Sequence, residues 1–168
     1  MGSGREPRFV QEYLLSHYSD RRLITNVPLG PVPREMIADV GEEEAIRLYR
    51  SWRPRADAVI WGDGEIILLE GEVDYPRNGM SDLLFYFPLW GVTPEYRQWW
   101  SLPVRMVLLV PWLPDWLQTV AGHYGVEVVV YTPAWMHDHL AKWQLYNTAE
   151  WRHRREDRKA ALKALGLE

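Results

Sequence analysis

The sequence predicts a mixed α/β domain of the α+β kind, with helices packed on a central sheet. Three observations carry the prediction. Apolar runs of strand length alternate with segments of helical spacing, Asp63-Gly64 joins two such runs in the manner of a tight hairpin, and 168 residues suffice for one buried core. A content of 47% apolar residues, with ten Trp and nine Tyr, excludes a disordered chain.

In order along the chain, residues 7–18 place Phe9, Val10, Tyr13, Leu14 and Tyr18 at helical spacing, with Pro7 allowed in a first turn. RLITNVPLG then alternates Leu23, Thr25 and Val27 against Ile24 and Asn26 and meets Pro28, which suits a short edge strand. A second helix is expected over 41–51, its acidic first turn favoured by the helix dipole. Strands near 56–61 and 65–73 flank the hairpin turn. Residues 80–90 read as helical, with Pro88 expected to kink or end the helix. VRMVLLVP (104–111) is a strand, 114–123 a helix with Gly125 as its cap, VEVVVY (126–131) a strand, and 133–144 a further helix. A charged last helix is expected from about 148 to 165, containing RHRREDRK.

Composition narrows the function classes. The chain has no cysteine, which removes disulfides, zinc-cysteine sites and thiol nucleophiles. No run reaches the roughly 18 apolar residues of a membrane span, and MGSGREPRF has no apolar segment, so synthesis inside the cell is expected. Residues 151–168 carry six Lys or Arg against three Asp or Glu, a balance of +3, which leaves the first 150 residues at −7. A body of that sign does not attract nucleic acid by bulk charge; DNA contact would need local patches or a bound cation.

The most informative stretch is ADAVIWGDGEIILLEGEVD (56–74). With Asp63 and Gly64 as loop residues, Asp57 lies directly opposite Glu70. Strand alternation puts Asp57 on a face with Val59 and Trp61, and Glu70 and Glu72 on that face with Ile66 and Leu68. Three carboxylates thus converge at one end, while Ala58, Ile60, Ile67, Leu69 and Gly71 make the other face apolar too, which predicts central strands. Like charges opposite each other destabilise a sheet, so a positive partner is expected, and Mg²⁺ or Mn²⁺ suits carboxylate oxygens best. The plain alternative is a solvated strand end, with Asp57 capping the preceding loop.

An Asp at the start of one strand, a hairpin, and then Glu-x-Lys at the end of the next, followed by a helix, is the pattern that Asp57 and Glu70-Gly71-Glu72 resemble. It is that of the PD-(D/E)xK, or restriction-endonuclease-like, nuclease superfamily. RFVQEYLLSHYSDRRLITNVPLGP and GVEVVVYTPAW further resemble small phage and prophage members, so the likeness extends over about residues 8–136. The resemblance implies a helix, a three-stranded antiparallel meander, a helix and a further strand, within a domain over 1–147 followed by a charged helix or arm over 148–168. It implies that Asp57 and Glu70 hold the metal, with Glu12 on the first helix as an auxiliary ligand and Tyr86 as an orienting group, although Asp82 stands where some members have Gln. Glu72 occupies the position of the family's Lys, as a ligand or base, and Arg77 in the loop DYPRNG is the candidate displaced cation.

Two function classes follow. One is metal-dependent hydrolysis of DNA in the host cytoplasm. The other keeps the fold without the chemistry, as a virion protein such as a head-to-tail connector component that contacts other phage structural proteins; a homo-oligomer is allowed by either. His137-Asp138-His139 is a poor metal site, because residues two apart on a helix diverge. The Trp-rich YRQWW (96–100) and PWLPDW (111–116) suit core or an interface, or base stacking. Zinc-hydrolase, phosphate-loop and esterase motifs are absent from the sequence.

Overall fold

The computed structural model describes residues 5–146 and, beyond them, 153, 156, 157 and 161–163. The expected helix over 148–165 lies outside the described residues except at those positions, which are helical, and so does MGSG. The chain divides into two compact units, Met1–Tyr131 and Thr132–Glu168. The first holds a five-stranded mixed sheet flanked by helices. The described part of the second is a 3-10 turn, Ala134–Met136, leading into helix α6, His137–Tyr146.

In the first unit, helix α1 (Glu6–His17) precedes an antiparallel meander of β1 (Leu23–Pro28), β2 (Arg55–Trp61) and β3 (Ile66–Gly71). Helix α4 (Pro76–Trp90) then crosses to β4 (Val104–Val110), parallel to β3, and α5 (Asp115–His123) crosses to β5 (Val126–Val130), parallel to β4. The strand order is β1-β2-β3-β4-β5, so β3 is central and β1 an edge. The hairpin register is the expected one: Ala58 pairs with Leu69 and Trp61 with Ile66. Gly64 turns it with φ +83°, a conformation that favours glycine.

Helices lie on both sheet faces. Leu83, Tyr86 and Trp90 of α4 and Leu117 and Ala121 of α5 pack with Ile66, Leu68, Met106 and Leu108. On the opposite face α1 buries Phe9, Val10, Tyr13 and Leu14. It approaches so closely that a Cβ on Gly71 would lie 2.3 Å from Val10 Cγ2. Each such fully buried side chain contributes at most roughly 1.5–3 kcal/mol.

Three local expectations are corrected. Helix α4 runs through Pro88 to Trp90, so Pro88 costs it the bond to the Leu84 carbonyl without ending it at that residue. Its terminal carbonyls find other donors: Thr93 Oγ1 donates to Leu89 O at 2.7 Å and Thr93 N to Trp90 O at 3.2 Å. Helix α4 also begins at Pro76, so Arg77 lies in its first turn and not in a loop. Between β1 and β2 two helices stand where one was expected, α2 (Arg34–Val40) and α3 (Glu42–Tyr49), parted by Gly41 at φ +85°. Helix α2 has only seven residues and buries none of them, so its apolar spacing, Met36, Ile37 and Val40, covers too short a stretch to be distinctive.

Candidate functional site

The β1–β2 ladder is interrupted at one point. Pairing runs from Thr25↔Ala58 to Val27↔Ala56, and between them stand Asn26, at φ +54°, and Asp57. The Asp57 N–H turns to Glu70 Oε2 at 3.2 Å, and Gly71 N–H donates to Asp57 Oδ2 at 2.9 Å. Two carboxylates therefore replace backbone acceptors where the hairpin ladder ends. Alternation also slips here, since Ala56 and Val59, three residues apart, join the same core cluster. Strict alternation was the sequence expectation, and the left-handed Asn26 opposite Asp57 marks where it fails.

Glu70 and Glu72 are both buried, at 9% exposure. Glu70 continues the β3–β4 ladder opposite Leu108, and the Glu72 N–H donates to Leu109 O at 2.9 Å. The Glu72 carboxylate accepts the Asp74 and Tyr75 N–H groups, each at 3.2 Å, and so shapes the turn into α4. Helix α4 crosses directly above: a Cβ on Gly79 would lie 2.7 Å from Leu108 Cδ1, 3.1 Å from Glu72 Cβ and 3.5 Å from Glu70 Cγ. Only a residue without a side chain lets the helix pass so near.

The electrostatics show what has been assembled. Burial, and then repulsion from Asp57, push the Glu70 carboxyl up to about 9. Burial also raises Asp57, against the Gly71 N–H bond that lowers it and together with Glu72 and Asp82, which raise it further. Two more carboxylates belong to the group. Glu6, at the start of α1, is pushed up to about 7 by burial, then by a hydrogen bond to and repulsion from Glu72. Asp82 of α4 is raised by burial and then by Glu72. Among the described residues none of these five is ion-paired with Lys, Arg or His.

The structure thus brings Asp57, Glu70 and Glu72 together and separates Glu12 from them. Glu12 accepts from Tyr131 Oη at 3.4 Å and lies 3.9 Å from Arg8. Glu6 takes the helix position beside the strands instead, six residues earlier and hence about 240° around the helix. The signal for it was a Glu immediately before Pro7 in a first helical turn. Tyr86 is buried in the core beside the group, its hydroxyl pKa raised by burial first and then by Glu70, Asp82 and Asp57. Arg77 is exposed and forms no ion pair with these carboxylates among the described residues.

The other candidates fall elsewhere. His137, Asp138 and His139 open α6. Tyr96 is buried and stacks on Trp90 at 4.9 Å, and the Arg22 guanidinium lies 4.6 and 4.5 Å from the Trp99 and Trp61 rings, which meet edge to face. In the first Trp-rich segment Tyr96 is therefore core and Trp99 packs against it, whereas Trp100 is 36% exposed and Trp116 on α5 46%. Among the described residues no three His, Asp or Glu side chains stand ready as a metal cage. The donor set nonetheless fits a hard divalent cation in kind, being all oxygen and mutually repelling.

No protein-family model matches the chain, and no curated protein is a significant match. Among solved structures it is similar to a repair endonuclease from Pyrococcus abyssi, at 14% identity and a TM-score of 0.45, over 79% of this chain and 48% of that one. It is also similar to a protein of unknown function, at 11% identity and a TM-score of 0.42, over 73% of this chain and 56% of the other. The chain spans about half the length of the solved structures it matches.

Proposed function

We propose that the chain is a nuclease-fold protein of the restriction-endonuclease-like type, of phage or prophage origin, that hydrolyses DNA phosphodiester bonds with Mg²⁺ or Mn²⁺. One observation carries the reading: five carboxylates, two of them buried, meet where β2 and β3 part, and none has a cationic partner among the described residues. Such a group is costly in a fold unless a proton or a cation joins it.

In this reading Asp57 and Glu70 hold the cation, with Glu72 as a further ligand or as the base. A divalent cation bound there polarises the phosphate and lowers the pKa of an attacking water. The Asp57–Gly71 and Glu70–Asp57 backbone bonds fix both side chains on the strands, a more rigid support than loops give. Glu72, tied to Asp74 and Tyr75, has its orientation set by the turn before α4. The test is incubation of purified protein with plasmid and Mg²⁺ or Mn²⁺ beside an Asp57→Ala control. Nicking by the wild type alone supports the reading; no nicking by either rejects it.

A second reading rests on a different observation. Carboxylate oxygens of Asp57, Glu70 and Glu72 accept backbone N–H groups, no three side chains form a cage among the described residues, and α4 exposes Phe85 and Phe87. A fold retained without its chemistry, serving as a structural component of a phage particle, has this form. Its test is assembly: a chain that stays monomeric and never enters particles rules it out.

A further inference from the structure

Asp57 lines a groove of about 530 Å³, walled by Pro7, Val10 and Gln11 of α1 and by Thr25 and Asn26 of β1. Ligand sites of this kind span about 300–1,000 Å³, so the groove has room for one nucleotide. Its polar lining, Asp57 aside, is neutral: two amides and a hydroxyl, on three exposed residues. Asn26 is also the residue held at φ +54°, at the break in the ladder that lets the Asp57 N–H turn toward Glu70. Asn adopts this conformation more readily than most residues, and non-glycine residues held in it cluster at active sites and ligand clamps.

Neutral donors suit this place for a physical reason. A Lys or Arg in the groove would pair with Asp57 and neutralise the charge that a cation needs. Amides donate to phosphate without doing so, and much of the hydrogen bonding to nucleic-acid backbones comes from such side chains. Resting on the nuclease reading above, we propose that the groove holds one nucleotide of the strand being cut, with the Asn26 and Gln11 amides donating to its phosphate beside Asp57.

Asn26→Gly keeps a residue at ease in the left-handed conformation, and Gln11→Ala changes an exposed helix position, so both variants fold. In plasmid cleavage with Mg²⁺, each raises KM by about tenfold, the loss of roughly one good hydrogen bond, with kcat and the melting temperature unchanged. On the Asp57→Asn background, binding of a labelled single-stranded oligonucleotide weakens by a similar factor when Asn26→Gly is added. A wild type that cuts DNA, with KM unchanged in both variants, overturns this inference alone. A fall in kcat at constant KM does the same, because it assigns Asn26 to the posture of Asp57 and not to substrate. A wild type that neither binds nor cuts DNA overturns this inference and the nuclease reading together.

Discussion

The two ends of the β2–β3 hairpin treat negative charge in opposite ways. At the turn end every carboxylate has an arginine: Asp63 with Arg21, and Glu65 and Glu127 with Arg105, at 2.9 and 2.8 Å. Arg21 holds the Asp63 carboxyl below its ordinary range. At the open end Asp57 and Glu70 are raised by burial, and their neighbours Glu6, Glu72 and Asp82 are also acids. The same two strands thus carry one end closed by ion pairs and one end whose carboxyls have no Lys, Arg or His partner among the described residues. Surface pairs of the first kind are worth little each; buried carboxyls without such pairs have their pKa raised.

The largest expected effect separates these roles. Asp57→Asn and Glu70→Gln keep an acceptor for the Gly71 and Asp57 N–H groups while removing charge. Metal-dependent cleavage should fall by about 10³, the scale of several kcal/mol of charge stabilisation, while the metal-free melting temperature holds or rises. A large loss of stability in both variants would mean that the open end is structural after all.

Packing comes next. Gly71→Ala forces a Cβ against Val10 Cγ2, and overpacking of this kind costs about 1–3 kcal/mol in chemical denaturation. By contrast Gly64→Ala at the turn end strains only the backbone at φ +83° and costs about 1 kcal/mol.

The two ends should also respond oppositely to pH. Glu70 in the folded chain titrates near 9 against an ordinary 4.5, so folding takes up a proton between those values. Metal-free stability therefore falls as pH rises through that window, with Glu6, near 7, adding to the fall in its lower part. Asp63 runs the other way: its depressed pKa contributes at neutral pH and is lost as pH falls through the folded value. Melting temperatures in EDTA at about pH 5, 7 and 9 should decline, and excess Mg²⁺ should flatten the decline. A rising metal-free profile would show that the open-end carboxyls are not raised. The smallest effect belongs to Arg105→Ala, which cuts two partly exposed pairs and should cost no more than about 1 kcal/mol.

Particular residues show what was legible in the sequence. Asp63-Gly64 between apolar runs specified the hairpin register, because one slipped residue would turn every apolar side chain to the wrong face. The register in turn placed Asp57 opposite Glu70, and two apolar faces predicted the interior place that both hairpin strands, β2 and β3, take in the sheet. Gly125, at φ +68° after α5, was readable as a cap for the same local reason. Such features depend on neighbours a few residues away, so the chain's own order encodes them.

Glu6, Asp82 and the Asn26 break were decided only by the tertiary structure. Glu6 and Glu12 are alike as sequence, and which of them meets the strands depends on how α1 is rotated when Phe9, Val10, Tyr13 and Leu14 are buried. Asp82 reaches the group because Gly79 lets α4 pass close above Glu70 and Glu72. The pKa values themselves follow from burial and from charges far apart in the chain, so they come into being only when the layers pack. The acids were written in the sequence; that no described Lys, Arg or His pairs with them was decided by packing.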